Sequence, residues 1–186
     1  LMIGSAGIGV GVESSTQLWG IQGSAVRNIR RRDNLALDGI LGIRYLDLDE
    51  DLRLGVDWPL FRSTDSFSTH NQFYGANLGV KFSYTAWKRL VLSVEPSVAL
   101  GANCQSLEVD GAFASPLFWP SGAPPVGFLF AIPPALGETH QTKFAVLPEV
   151  KVGLGCKITK NVSFGARYNL LYVSNVARPG EQVNRT

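Results

Sequence analysis

The chain has 186 residues, 45% of them hydrophobic, with a formal net charge of +2 and a mean hydropathy of +0.09. That length fits one domain, and the near-balanced charge singles out no class of partner. No run of 18 apolar residues occurs, which excludes a transmembrane helix and leaves a β-barrel as the one spanning option.

The opening stretch LMIGSAGIGVGV is apolar but has neither a basic leader nor a small-residue cleavage site, so it is not read as a signal peptide. With Leu1 in first place, the sequence is read as a processed or partial product. A weakly alternating stretch, 15–27, is the first strand expected, followed by a short basic link, RNIRRRDN, at 28–34. No aromatic stripe accompanies those arginines, so nucleic acid is not expected, and exposure on the periplasmic side is the reading for this turn.

The next strand is expected at 35–47, with Leu35, Leu37, Leu41, Ile43 and Tyr45 on one face and Asp38, Gly42 and Arg44 on the other. A long link follows at about 50–69. Asp47, Asp49 and Asp51 start with the spacing of a calcium loop, but Leu52 stands where that loop turns on glycine and Trp58 where its bidentate acid belongs. A solvated acidic rim is the reading. His70 and His140 fall at strand ends, and two histidines without a nearby cysteine make a poor zinc site. Ser68, His70 and Asp65 are close in sequence, yet neither a nucleophile elbow nor a phosphate loop is present, and the chain is read as a non-enzyme without cofactor or metal.

Residues 71–85 carry the strictest alternation. Tyr74, Ala76, Leu78, Val80, Phe82 and Tyr84 form one face, and Gly75, Asn77, Gly79, Lys81 and Ser83 the other. In a soluble sheet the apolar face is buried, whereas in a membrane barrel it meets lipid. Tyr74 and Tyr84 stand ten residues apart, which at a rise of ~3.3 Å and a tilt of ~40° projects to roughly 25 Å, the height of a lipid-facing band with an aromatic residue at each interface.

After a short link at 86–88, strand 89–103 sets Leu90, Leu92, Val94, Pro96, Val98 and Leu100 against Val91, Ser93, Glu95, Ser97, Ala99 and Gly101. The stretch 104–140 is read as a long external loop, since Pro116, Pro120, Pro124, Pro125, Pro133 and Pro134 break regular structure. Its Phe118, Trp119, Phe128 and Phe130 either fold over the barrel mouth or offer a contact for another subunit or an envelope assembly. Strand 143–158 alternates Phe144, Val146, Pro148, Val150, Val152 and Leu154 with Glu149, Lys151, Gly153 and Gly155. A short link at 159–161 leads to strand 162–176, whose Phe164 and Tyr172 are candidate interface aromatics while Arg167 faces the other way. Cys104 and Cys156 lie toward opposite ends of adjacent strands, too far apart for a disulfide.

Long and short links alternate, as in an up-and-down transmembrane barrel with short periplasmic turns. In that arrangement Lys81, Glu95, Glu149, Lys151, Arg167, Asp38 and Arg44 face the lumen. Pairing Asn103 with Gln141 would set Pro96 against Pro148 and Glu95 against Glu149, two repelling carboxylates compensated by Lys81 and Lys151. Either a salt-bridged, side-chain-filled interior or a charged constriction in a pore would use such residues.

The segments STQLWG (15–20), RYLDLDE (44–50), NQFYGANLG (71–79), FAVLPEVKVGLG (144–155) and YNLLYVSNVARPGEQVN (168–184) occur in this order. Together they resemble the β-barrel porins of the seventh such family, found in planctomycete outer membranes. The resemblance implies an all-β, antiparallel up-and-down transmembrane β-barrel in the outer membrane, surrounded by lipid; the apolar residues of 104–140 separately suggest homo-oligomer or envelope-complex contacts. A passive porin for small solutes is the function implied, with a non-conducting structural barrel as the alternative. It also implies further strands before residue 15 and a closing strand after the Arg-Pro-Gly segment, which would make the six strands here part of a larger barrel. That Arg-Pro-Gly segment is expected, like 104–140, on the external side.

Overall fold

A computed structural model describes residues 9–59, 61–86, 89–114, 137–158 and 162–182. Six strands, β1 (Gly9–Arg32), β2 (Leu35–Trp58), β3 (Phe61–Ala86), β4 (Leu90–Ala114), β5 (Gly137–Lys157) and β6 (Ser163–Leu171), form one antiparallel sheet in the order β1-β2-β3-β4-β5-β6. A single helical turn, α1 (Pro179–Gln182), follows. The all-β, up-and-down fold expected from the sequence is the fold observed.

Most strands run well past the expected bounds. The 26 residues of β3 span roughly 85 Å along the strand at ~3.3 Å per residue, more than twice the length of the Tyr74–Tyr84 band. The long link expected at 50–69 is instead a continuation of the β2–β3 hairpin, paired through to Trp58 and Phe61. Its polar residues misled the reading because they obey the same period of two, with an outward side that turns hydrophilic. At its tip Asp57 accepts a hydrogen bond from Arg62 Nε, and that carboxylate holds the guanidinium pKa above its ordinary value.

Likewise, 104–114 and 137–140 belong to β4 and β5, so that the stretch 104–140 is not loop throughout. Phe118, Trp119, Phe128 and Phe130, the proposed loop contacts, lie outside the described residues. The basic link at 28–34 is also mostly strand. β1 bulges at Ile29 and pairs through Arg32 with Leu35, leaving a two-residue turn at Asp33–Asn34 with Asp33 at φ 42°. A short polar residue tolerates that left-handed backbone at a hairpin.

The sheet inverts the usual inside and outside. Outward-facing Ile43 and Leu170 are 74% and 62% exposed, whereas Ala99 and Leu147 on the concave side are fully covered. The outward face also changes character at one row, Tyr45–Tyr74–Ala102–Phe144, formed of direct cross-strand partners. On one side of that row the outward residues are apolar; on the other they are Asp47, Gln72, Cys104 and Thr142, with Asp49, His70, Ser106 and His140 beyond. At this boundary Trp19 meets Tyr45 edge to face and Tyr45 meets Tyr74 at a tilt, with ring centroids 5.1 and 4.8 Å apart. A band ending in an aromatic patch followed by hydrogen-bonding side chains matches the passage from hydrocarbon through interface to water.

This assignment predicts a contrast between two outward positions on one strand. Leu78→Arg, within the apolar band, should cost about 2–4 kcal/mol in equilibrium folding into bilayers, while His70→Arg, beyond the aromatic boundary, should cost about 1 kcal/mol or less. Urea titration of the full-length protein in vesicles distinguishes them. Equal costs would remove the membrane boundary from the Tyr45–Tyr74 row.

Candidate functional site: the concave face

The register brings the charged residues together differently from the sequence reading. Asn103 pairs with Lys143 rather than Gln141, a shift of two residues that sets Glu95 against Lys151 and Glu149 against Ser97. Opposite charges therefore face each other, and the expected clash between Glu95 and Glu149 does not arise. A shift of two preserves every inward and outward assignment, which is why periodicity could not detect it.

Glu149 is the hub. Its carboxylate accepts hydrogen bonds from both terminal nitrogens of Arg44, at 2.8 and 3.3 Å, from Asn169 Nδ2 at 2.7 Å and from Ser97 Oγ at 3.5 Å. Lys151 Nζ lies 3.1 Å from Glu149 and 3.4 Å from Glu95, which links a second acid to the first. The Arg44 and Glu149 side chains are only 10% and 1% exposed, so this forked pair, from β2 to β5, crosses the concave face away from water. The cross-strand row between them holds Gly75, Gly101 and Ala145 opposite Arg44, with the Phe73 ring over Gly75, where a Cβ would come within 2.4 Å of Phe73 Cζ. A Cβ on Gly101 would come within 2.0 Å of Tyr74 O, which also fixes how closely β3 and β4 approach.

Asp38 accepts from Asn28 Nδ2 at 2.6 Å, and neither Lys81 nor Arg167 has a carboxylate within ion-pair distance among the described residues. The ladder between β3 and β4 is interrupted at Val80 and Lys81, opposite Glu95 and Pro96, because proline brings no backbone donor. The second proline also has a place. Pro148 O accepts from Tyr172 N at 3.0 Å but proline returns no donor, and the regular part of β6 ends beside it at Leu171.

Beyond that point the chain leaves the sheet edge and turns inward. Ser174 N still bonds Val146 O at 3.1 Å, and Ser174 Oγ accepts from Val146 N at 2.8 Å. Asn175 then takes φ 51°, a left-handed conformation that Asn tolerates, while its amide donates to Phe144 O at 2.8 Å. The following residues cross the concave face. Asn103 Nδ2 donates to Asn175 O at 2.9 Å, and Gln105 donates to the same oxygen. Asn71 donates to Ala177 O at 3.0 Å and accepts from Ala177 N at 2.9 Å, so one side chain satisfies both backbone groups of that residue. Ala177 and Pro179 are buried, and α1 packs on β2 and β3.

The Arg-Pro-Gly segment expected on the external side therefore lies across the concave surface, for a physical reason that alternation does not encode. Leu171, Val173 and Val176 cap an inward-facing apolar cluster of Leu46, Leu48, Phe73, Ala99, Ala145 and Leu147. That apolar surface would otherwise face the lumen. Asn71, Asn103, Gln105, Asn169 and the segment 173–180 are the residues sequence reasoning missed as functional. The available signal was a set of uncharged amides at inward positions with no turn to justify them.

The other candidates separate. Ser68 Oγ bonds Asp51 at 2.6 Å and His70 bonds Asp49, both outward, while buried Asp65 occupies the opposite face, so the three do not meet as a catalytic group. Asp47, Asp49 and Asp51 lie on a strand, not in an ion-wrapping loop. Ligand atoms of Asp47, Asp49 and His70 fall within 4.8 Å of one another, but Asp47 is already engaged by the Tyr45 hydroxyl and Gln72 Nε2. Cys104 and Cys156 are free. Of the interface aromatics, Tyr74 joins the aromatic patch, Tyr84 faces outward opposite Leu35, Phe164 is outward opposite Cys156, and Tyr172 is outward beside Pro148.

A meander with an apolar exterior and a charged, hydrogen-bonded concave face defines a membrane β-barrel. Residues 4–186 match the family described as Putative beta barrel porin-7, and the chain belongs to that family. Membership carries with it an outer-membrane lipid environment. No curated protein matched the chain.

Proposed function

We propose that this protein is a passive outer-membrane porin for small solutes, with Lys81, Glu95, Glu149, Lys151, Arg167, Asp38 and Arg44 lining its lumen and the inward segment 173–180 narrowing it. The carrying observation is the contrast between faces: hydrocarbon-compatible residues outward, and a connected set of ionic and amide groups on the concave side. Fixed charges of both signs at one level favour small hydrated solutes over apolar ones, because each passing group can exchange water for a protein partner. The polar rim beyond the Tyr45–Tyr74 boundary belongs to the aqueous side.

A second reading, a non-conducting barrel that anchors an envelope assembly, draws support from one feature. The Arg44–Glu149 bridge and the capped apolar cluster fill much of the concave surface. Size-graded solute efflux from proteoliposomes tests between them. The porin reading predicts efflux of solutes up to a few hundred daltons with a sharp cutoff. Vesicles containing correctly inserted protein that retain every solute would favour the structural reading.

A further inference from the structure

We propose that the short-turn end of the concave face holds an oxyanion site, formed by Lys81 and Arg167, that selects phosphate- or carboxylate-bearing solutes. This deepens the porin reading and rests on it for the consequence in transport, though not for the binding itself.

The site is separate from the Glu149 hub. A cavity of ≈ 340 Å³ is lined by Lys81 and Ser83 of β3, Ser93 of β4, Gly153 of β5 and Arg167 of β6. Direct pairing runs Ser83–Ser93–Gly153–Arg167 across four strands, so these residues share one row of the same face. Among the described residues that line it are two cations and two hydroxyls, with Val91 and Leu154 beside them, and no carboxylate. The nearby acids are committed elsewhere: Glu95 to Lys151, Glu149 to Arg44 and Lys151, and Asp38 to the amide of Asn28.

Glycine makes the room. A Cβ on Gly153 would lie 2.6 Å from Ser93 Oγ and 3.8 Å from Arg167 Nε, so a side chain there would occupy the space between the hydroxyl and the guanidinium. Gly155 and Gly165, which also line the cavity, are direct partners, so that part of the floor carries no side chain, and Val91, opposite Gly155, closes the row. A planar guanidinium fork, an ammonium and two hydroxyls around an open floor match a tetrahedral or planar oxyanion, which accepts several charge-assisted hydrogen bonds at once.

Inorganic phosphate is the probe, titrated into the full-length protein in detergent micelles and followed by phosphorus NMR. Saturable binding is expected, weakened at least about tenfold in K81Q and in R167Q separately and less in R167K, which keeps the charge but not the fork. In planar bilayers the same two variants should lower the chloride-to-potassium permeability ratio. Absence of saturable binding by the wild type, or wild-type affinity in either glutamine variant, overturns the site. Conductance without phosphate binding would discard the site and keep the pore; binding without conductance would keep the site and discard the pore. Each variant is checked for β-structure by circular dichroism, and R167K keeps the test decisive if R167Q does not fold.

Discussion

Replacing Asn71 with alanine should release the inward segment and widen the lumen. Asn71 alone answers both the N–H and the carbonyl of Ala177, and its Oδ1 also accepts from Asn103 Nδ2 at 3.3 Å. Alanine would leave two buried backbone groups unpaired in a place water reaches poorly, at a cost of about 1–3 kcal/mol for each. The sheet does not depend on those bonds, so the effect should be local opening rather than loss of the barrel. The check is labelling of Ala177→Cys by a membrane-impermeant maleimide after both native cysteines are changed to serine. In the Asn71→Ala background it should react at least about tenfold faster, the change expected if the closed arrangement loses 1.4 kcal/mol or more. Equal rates would mean that apolar capping by Val173 and Val176, rather than the amides, holds the segment.

Removing the Glu149 carboxylate should have the largest effect on stability. Glu149→Leu leaves Arg44 and Lys151 facing each other on a dry surface, with Glu95 as the one acid among the described residues still in reach of Lys151. Breaking a buried ion pair from one side costs about 3–5 kcal/mol, because the abandoned charge stays desolvated. The sign of the lumen changes too, so any conducting variant should shift toward anions. Arg44→Leu combined with Glu149→Leu should recover most of the loss, since replacing both partners with apolar groups is often close to neutral. Urea unfolding of the two variants in vesicles separates these cases. If the double variant were as unstable as the single one, Asn169 and Ser97 would be the important partners of Glu149 instead of Arg44.

Alternation made the faces legible from residues alone. Tyr74 to Tyr84 announced both the strand and its apolar side. Strand length and register were not legible, for different reasons. Beyond the membrane band the outward face turns polar while Leu52, Leu54 and Phe67 keep the inward face apolar, so 50–69 resembles a loop in composition while it pairs as a strand. Register is set by backbone pairing along β4 and β5, where a shift of two residues leaves the pattern unchanged, and the partner of Glu95 was consequently misassigned.

The inward segment was hidden more deeply. Its sequence, SNVARPG, reads as a strand end followed by a loop, but where the chain leads depends on Asn71, Asn103 and Gln105 from distant strands. Two of the segments that carry the family resemblance meet at Asn71 and Ala177, and two others meet at Arg44 and Glu149. These junctions explain what such segments do physically: each supplies one half of a contact on the concave face.

Single-channel recording of the full-length protein in planar bilayers, wild type beside Asn71→Ala, tests the whole account most directly. A narrowed pore predicts small, discrete steps for the wild type and larger ones for the variant, because the freed segment no longer obstructs the lumen. Silence from both, with insertion verified by protease protection, would contradict it and identify the barrel as a closed structural element.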